Sequence, residues 1–191
     1  MFVAVLDTCV LWPSLQRDVL LSLAAENLYR PLWSGAILEE LEFHEARKLV
    51  GRGADPDDAA AQAAHLVEQM TAAFDDACVI GWEILDGSFN LPDPDDEHLV
   101  AAAVIGGAEA IVSDNVSDLP RGRVPAQIQV IKPAVFVADT VAVSPDAAVR
   151  ALRTMIARRT NPPETLEYVL QVLEQRYGMV DAVEMMRTAA N

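Results

Sequence analysis

Residues 91–120, LPDPDDEHLVAAAVIGGAEAIVSDNVSDLP, decide how the rest of the chain is read. Asp93, Pro94 and Asp96 suit the N-cap, first and third positions of a helix. The run from Leu99 to Ile105 continues that helix, and Gly106-Gly107 stops it where a left-handed residue costs little. Ala110, Ile111, Val112 and Ser113 then read as a short strand that delivers Asp114, Asn115 and Asp118 to the loop beyond. The start of such a helix and the end of such a strand lie at the same end of the unit, so the two acidic groups can meet. A plainer reading stands beside this one. Asp-Pro-Asp-Asp also occurs at residues 55–58, and an acidic first turn complements the helix dipole without any further role. The second copy is set apart by the strand and acidic loop that follow it, and by another acid near the start of the chain, Asp7.

Working outward, residues 2–6, FVAVL, are continuously apolar, as befits a central parallel strand covered on both faces. The run ends at Asp7-Thr8, placing a carboxylate at the strand's C-terminal edge, where α/β folds bind ligands. After Pro13-Ser14 an amphipathic helix extends to about Asn27, and residues 30–33, RPLW, give a second strand. Ser34 caps a helix whose apolar stripe includes Ile37, Leu38 and Leu41. Glu40 lies at the edge of that stripe among Glu39, Glu42 and Glu45, and spacing alone does not choose between the four. His44 shares a face with Glu40 and reads as a surface or supporting residue.

Asp55 opens an alanine-rich helix to about Phe74, with Ala60, Ala63, Ala64, Val67 and Met70 as its packing face. Residues 78–80 form a third strand and residues 128–131 a fifth, after a turn at Pro120-Arg121-Gly122-Arg123. Alternating strands and helices point to an α/β, doubly wound parallel sheet. From about Asp139 the pattern is purely helical, with Ser144 and Asn161 preceding prolines in N-cap fashion. Leu166, Val169, Leu170, Leu173 and Tyr177 make one apolar face closed by Gly178, and a last helix covers residues 180–188. This divides the chain into residues 1–138 and a helical extension, residues 139–191.

The chain has 191 residues, 52% of them hydrophobic, which suits a compact core rather than disorder. A net charge of −15 disfavours bulk electrostatic attachment to nucleic acid. Half of the basic residues fall at Arg121, Arg123, Lys132, Arg150, Arg153, Arg158 and Arg159. This is the candidate RNA-facing track, and solvated helix arginines explain it equally well. Cys9 and Cys78 offer neither a disulfide framework nor zinc spacing. The N-terminus has no basic region and carries Asp7 inside its apolar run, so neither a signal peptide nor a membrane anchor is expected and the expected location is cytoplasmic.

Acids on separate elements suit divalent-ion chemistry, because hard oxygen ligands bind Mg²⁺ or Mn²⁺, which also accept phosphate oxygens. No nucleophile–histidine set, glycine-rich dinucleotide motif or P-loop competes with this reading.

Five segments in order carry a resemblance. They are DTCVLWP at 7–13, RD at 17–18, WS at 33–34 with ILEE at 37–40, LPDPDDEH at 91–98, and IVSDNVSDLP at 111–120. Together they resemble the PIN-domain ribonuclease family, in the branch of VapC-like toxins of bacterial toxin–antitoxin pairs. The resemblance covers about residues 1–138, and the tail is similar to an extension found in that branch. It implies a five-stranded parallel sheet of order 3-2-1-4-5 and Mg²⁺- or Mn²⁺-dependent cleavage of RNA. It further implies catalytic and metal-binding roles for Asp7, Glu40, Asp96 and Asp118, and so selects Glu40 among the glutamates. Thr8, Ser113, Asp114, Asn115 and His44 would support them. Two positions depart from the family pattern: relatives often have Asn where Cys9 stands and Asp where Asn115 stands. Since Asn115 brings no charge, Asp118 or else Asp114 completes the quartet. A cognate antitoxin protein and a homodimer are the implied partners. Two other classes are a catalytically silent PIN-like binding module and a receiver-like phosphoacceptor; the latter needs an acid after the third strand, where Gly81 stands.

Overall fold

The structure, a computed structural model, describes residues 1–160 and 162–190. These residues form a five-stranded sheet of order β3-β2-β1-β4-β5 in which every pairing is parallel. The strands are β1 (Val3–Leu6), β2 (Arg30–Ser34), β3 (Cys78–Val79), β4 (Ala110–Val112) and β5 (Gln129–Ile131). Both the α/β class and the strand order expected from the sequence are observed. At the centre, Ala4, Val5 and Leu6 are wholly buried, as are Ala110, Ile111 and Val112 beside them. Val5 pairs with Leu32 on one side and with Ile111 on the other.

Between β1 and β2 the chain makes a short α1 (Thr8–Leu11) and then α2 (Ser14–Ala25). The sequence reading did not anticipate α1. Its Cys9-Val10-Leu11 looks like more strand, but Asp7 in extended conformation accepts a hydrogen bond from the Cys9 N–H and turns the chain. Next come α3 (Gly35–Gly51) and α4 (Pro56–Ala73), which pack against each other, with α3 also against β2. Ser34 caps α3 through the Ile37 N–H and Asp55 caps α4 through the N–H groups of Asp57 and Asp58. On α4 the packing face is Ala59, Ala63 and Met70. Ala60, expected inside, is exposed, because the buried stripe follows i, i+4 and i+11 from Ala59. Ile80, expected in β3, lies beyond its end and is 86% exposed.

The stretch at 91–120 begins with a 3-10 turn, Pro94–Asp96, which leads into α5 (Glu97–Gly106). Residues 97–103 of α5 are all buried, and its run of alanines lets the helix lie close against the sheet. The approach is tightest at Gly106, where a Cβ would stand 2.6 Å from Leu32 Cδ1 and 2.9 Å from Val79 Cγ2. Gly107 ends the helix at φ +65°.

The helical part consists of α6 (Pro133–Val143), α7 (Pro145–Ala157), α8 (Leu166–Tyr177) and α9 (Val180–Ala190). The division expected at 138/139 falls inside α6, which starts two residues after β5. Proline at its first position fixes the start of α6, and the apolar Val135, Phe136 and Val137 read equally well as strand. Ser144 caps α7 as expected, while the cap expected at Asn161 lies outside the described residues. Helix α7 packs on α2, and α9 packs on both α6 and α7. Arg159 clamps the seam by pairing with Asp18 on α2 and with Glu164 ahead of α8, and Arg150 pairs with Glu26 at 3.4 Å.

Candidate active site

The C-terminal ends of β1 and β4 lie side by side, because the Asp7 N–H donates to the Val112 carbonyl at 3.1 Å. That one contact brings Asp7 against Ser113. The Ser113 hydroxyl donates to Asp7 Oδ2 at 2.6 Å and accepts the Asn115 N–H at 2.9 Å. Cys9 Sγ donates to the same Oδ2 at 2.9 Å and accepts the Asp114 N–H at 3.3 Å. Asp7 is 7% exposed and Ser113 wholly buried. The carboxylate is therefore held in one orientation by donors from two elements. Burial, then the Asp7 charge, pushes the Cys9 thiol up to about 12, so it stays protonated and keeps donating. The departure at Cys9 thus retains a polar contact beside Asp7.

Glu40 projects from α3 toward the same place. The Thr8 hydroxyl donates to its Oε2 at 2.7 Å and has the Ile37 carbonyl as a longer partner at 3.3 Å. His98, on the first turn of α5, places Nε2 3.3 Å from Glu40 Oε1. Burial pushes the Glu40 carboxyl up, but the hydrogen bonds from His98 and Thr8 and the charges of His98 and His44 together hold it below the usual range. For His98, burial pulls downward, yet the Glu40 contact and the charges of Glu40, Asp7 and Asp86 raise it. The remaining glutamates of the α3 cluster are occupied or outward. Glu45 is buried on Arg17 and Lys48, Glu39 is exposed and Glu42 is half-buried.

Asp96 closes the 3-10 turn that faces Asp7. Its carboxyl is raised to about 6, first by burial and then by the charges of Asp7, Asp93 and Asp118, with His98 opposing. Among the described residues this carboxylate accepts no hydrogen bond. Asp93, by contrast, spends its side chain on the Asp95 N–H as a cap, which is the plainer role considered for the whole motif. Asp118 is half-buried in the loop after β4 and its Oδ1 accepts from Ser117 at 3.3 Å. Asp114 is exposed, and burial of its carboxyl together with the Asp7 charge raises it against the pull of Lys132. Asn115 is exposed, and its carbonyl receives the Asp118 N–H at 3.1 Å.

His44 lies apart from the acids' contacts. It is exposed, its carbonyl accepts from Trp12 Nε1 at 3.3 Å, and its ring meets Phe43 edge-on. The histidine beside Glu40 is instead His98, which sequence reasoning passed over as a support for Glu40. The signal available was its position one turn into the helix that Asp96 opens. Glu97 was also missed. Its buried carboxylate accepts the N–H groups of Phe89 at 2.8 Å and Leu91 at 2.6 Å, fixing the loop that leads to Asp96.

The donor set fits a hard divalent cation in its chemistry: carboxylates from separate elements, of which Asp96 accepts no hydrogen bond among the described residues and is raised by burial and by its acidic neighbours. Among the described residues no three acidic, histidine or cysteine side chains already converge as a closed ligand group. The arrangement is open, and Asp96, without a hydrogen bond, has freedom to turn.

Residues 3–117 match the family described as PIN domain, and residues 133–188 match the family described as VapC50 C-terminal domain. No curated protein and no solved structure matches the chain.

Proposed function

Because the chain belongs to the PIN-domain family and continues into a VapC-type C-terminal domain, we propose that it is a metal-dependent endoribonuclease, the toxin of a toxin–antitoxin pair. The observation that carries this reading is Asp96, whose carboxyl accepts no hydrogen bond among the described residues and is raised first by burial and then by the charges of Asp7, Asp93 and Asp118. A cation at that point relieves the repulsion, and Asp7, Glu40, Asp96 and Asp118 are the residues that would hold it. Mg²⁺ or Mn²⁺ bound there supplies charge neutralisation at the phosphate and an activated water for in-line attack.

The chain's own residues set the geometry. Ser113 and Cys9 orient Asp7, while Thr8 and His98 orient Glu40. Asp118, more sheltered than Asp114 and coupled to Asp96, is the preferred fourth acid. The histidines do not supply an acid–base pair: His65 and His44 are exposed and only His98 is at the site. Attack by the RNA's own 2′-hydroxyl therefore lacks two catalytic groups titrating near neutrality. The products are then a 5′-phosphate and a 3′-hydroxyl. A receiver-like phosphoacceptor is disfavoured because β3 runs into Ile80 and Gly81 and offers no acid.

The deciding experiment is cleavage of a short labelled RNA with Mg²⁺ or Mn²⁺, followed by end-group analysis, with Asp7→Asn and Asp58→Asn as paired controls. Activity lost in the first and kept in the second supports the site. Cyclic phosphate ends or cleavage surviving EDTA overturn it, and metal-replete RNA binding without cleavage favours a silent binding module. As a toxin, the wild type slows growth when expressed in bacterial cytoplasm and Asp7→Asn relieves it, with a cognate antitoxin masking the acids. Self-association through the helices is part of the same proposal.

A further inference from the structure

Beside the acidic site lies a cleft of about 550 Å³ that is lined by both parts of the chain. Lys48 and Arg52 come from the end of α3, Arg159 follows α7, Arg176 lies in the last turn of α8, and Trp12 forms part of the wall. In a chain of net charge −15, this lining gathers four cations and one acid, Asp114. The cations' environments differ. Lys48 is paired with Glu45 and lies over the Trp12 ring, and Arg159 is paired with Asp18 and Glu164. Arg52 and Arg176 are exposed and have no acidic partner among the described residues. Helix C-termini favour cations on their own account, but that does not explain why two helices from distant parts of the sequence present them to one cleft.

The remaining lining connects the cleft to the site. Asp114 borders it, and the Asp114 N–H is bonded to Cys9, which in turn donates to Asp7. Trp12 is 42% exposed, and Tyr177 carries Arg176 above its ring at 5.5 Å. Tyr177 is half-buried and Trp12 exposed, and unpaired cations near an exposed aromatic ring are what a single nucleic-acid strand needs: charge for its phosphates and a face on which a base stacks. Of the seven basic residues that the sequence suggested as an RNA-facing track, only Arg159 lines this cleft.

We propose that this cleft holds the single-stranded RNA segment adjoining the scissile phosphate, with Arg52 and Arg176 on its phosphates and Trp12 as a stacking platform. The inference rests on the ribonuclease reading and extends it, since it assigns the helical extension a direct part in substrate binding through Arg176.

The test is fluorescence anisotropy of a fluorescein-labelled oligouridylate in EDTA, where no cleavage occurs, over a series of salt concentrations. Arg52→Ala/Arg176→Ala should weaken binding roughly tenfold and reduce the salt slope by about 1.4, two contacts at about 0.7 each. Arg52→Lys/Arg176→Lys should restore most of both, and Trp12→Leu should weaken binding without changing the slope. Thermal melts identify any variant that fails to fold, and the lysine pair then carries the comparison with an Arg52→Gln/Arg176→Gln pair. Equal affinity and slope in wild type and the alanine pair overturn the proposal. So does preferential binding of a labelled polyglutamate peptide over RNA, which makes the occupant an acidic protein segment. Wild type that binds RNA with the stated dependence but does not cut it with Mn²⁺ upholds the cleft as an RNA-binding surface and refutes the ribonuclease reading, and with it the placement beside a scissile phosphate.

Discussion

Asp96→Asn should make the metal-free protein more stable, although it removes a residue of the proposed catalytic set. In the fold the Asp96 carboxyl is raised from 3.8 to about 6. The folded state therefore binds this proton more tightly than the unfolded chain, and stability falls as pH rises between those two values. Such a shift corresponds to about 3 kcal/mol if the group were fully shielded from water. Asp96 is only partly buried, and solvent screening brings the expected gain to about 1 kcal/mol. For a chain of this size that is about 2–4 °C in Tm. Asparagine breaks no hydrogen bond, since the carboxylate accepts none among the described residues. Thermal melts in EDTA should show wild type and variant together below pH 3.8, separating as pH rises and staying apart above about 6. Saturating Mn²⁺ should reverse the order, because only the wild type retains the full ligand set. A pH-independent gap, or a variant less stable than wild type at neutral pH in EDTA, refutes the reasoning that the ionised Asp96 is held against burial and like charges.

Three further perturbations address the neighbours. Ser113→Ala takes from Asp7 one of its donors, leaving Cys9, and leaves the Asn115 N–H without its partner; urea midpoints should report a loss of about 1–3 kcal/mol, and RNA cleavage should slow. His98→Gln removes one partner of Glu40 and leaves Thr8. The histidine's contribution is fully present below its ordinary 6.5 and is lost as pH rises through its raised value. The variant should therefore fall furthest behind wild type in urea melts near pH 6 and least at high pH. Gly106→Ala drives a methyl into Leu32 and Val79 and should destabilise by about 1–3 kcal/mol in the same assay.

The sheet was legible because its central residues have few alternatives. An unbroken apolar run such as Ala4-Val5-Leu6 belongs in a doubly covered strand, and Ser34, Asp55 and Ser144 mark helix starts through their own side chains. Gly107 marks a stop because, lacking a side chain, it takes the left-handed φ of +65° without strain. The site was legible only in part. The ends of β1 and β4 follow from strand order, so Asp7 beside Ser113 and Asp118 near Asp96 are consequences of topology. The choice of Glu40 came from the family resemblance alone, because four glutamates on one helix are equivalent until the helix is rotated against its neighbours. Thr8 and His98 make the distinction, and neither is close to Glu40 in sequence. Helix α1 was hidden for the opposite reason: its residues favour a strand locally, and Asp7, accepting from the Cys9 N–H at its side chain and from Val10 and Leu11 at its carbonyl, overrides them. Likewise Ala59 and Ala60 differ by one position, and a chain of alanines carries no volume signal to choose between them.

The parallel order of the sheet also bears on how the protein is made. Asp7 and Ser113 are 106 positions apart, so β1 must wait for more than half of the chain before its second neighbour exists. At typical translation speeds of about 5–20 residues per second, that delay is about 5 to 20 seconds. Until then the first acid has been synthesised without the hydroxyl that orients it or the loop that carries Asp118. A chain cut short anywhere before β4 thus lacks Ser113 and Asp118 altogether, and the acidic cluster comes together only once more than half of the chain has been made.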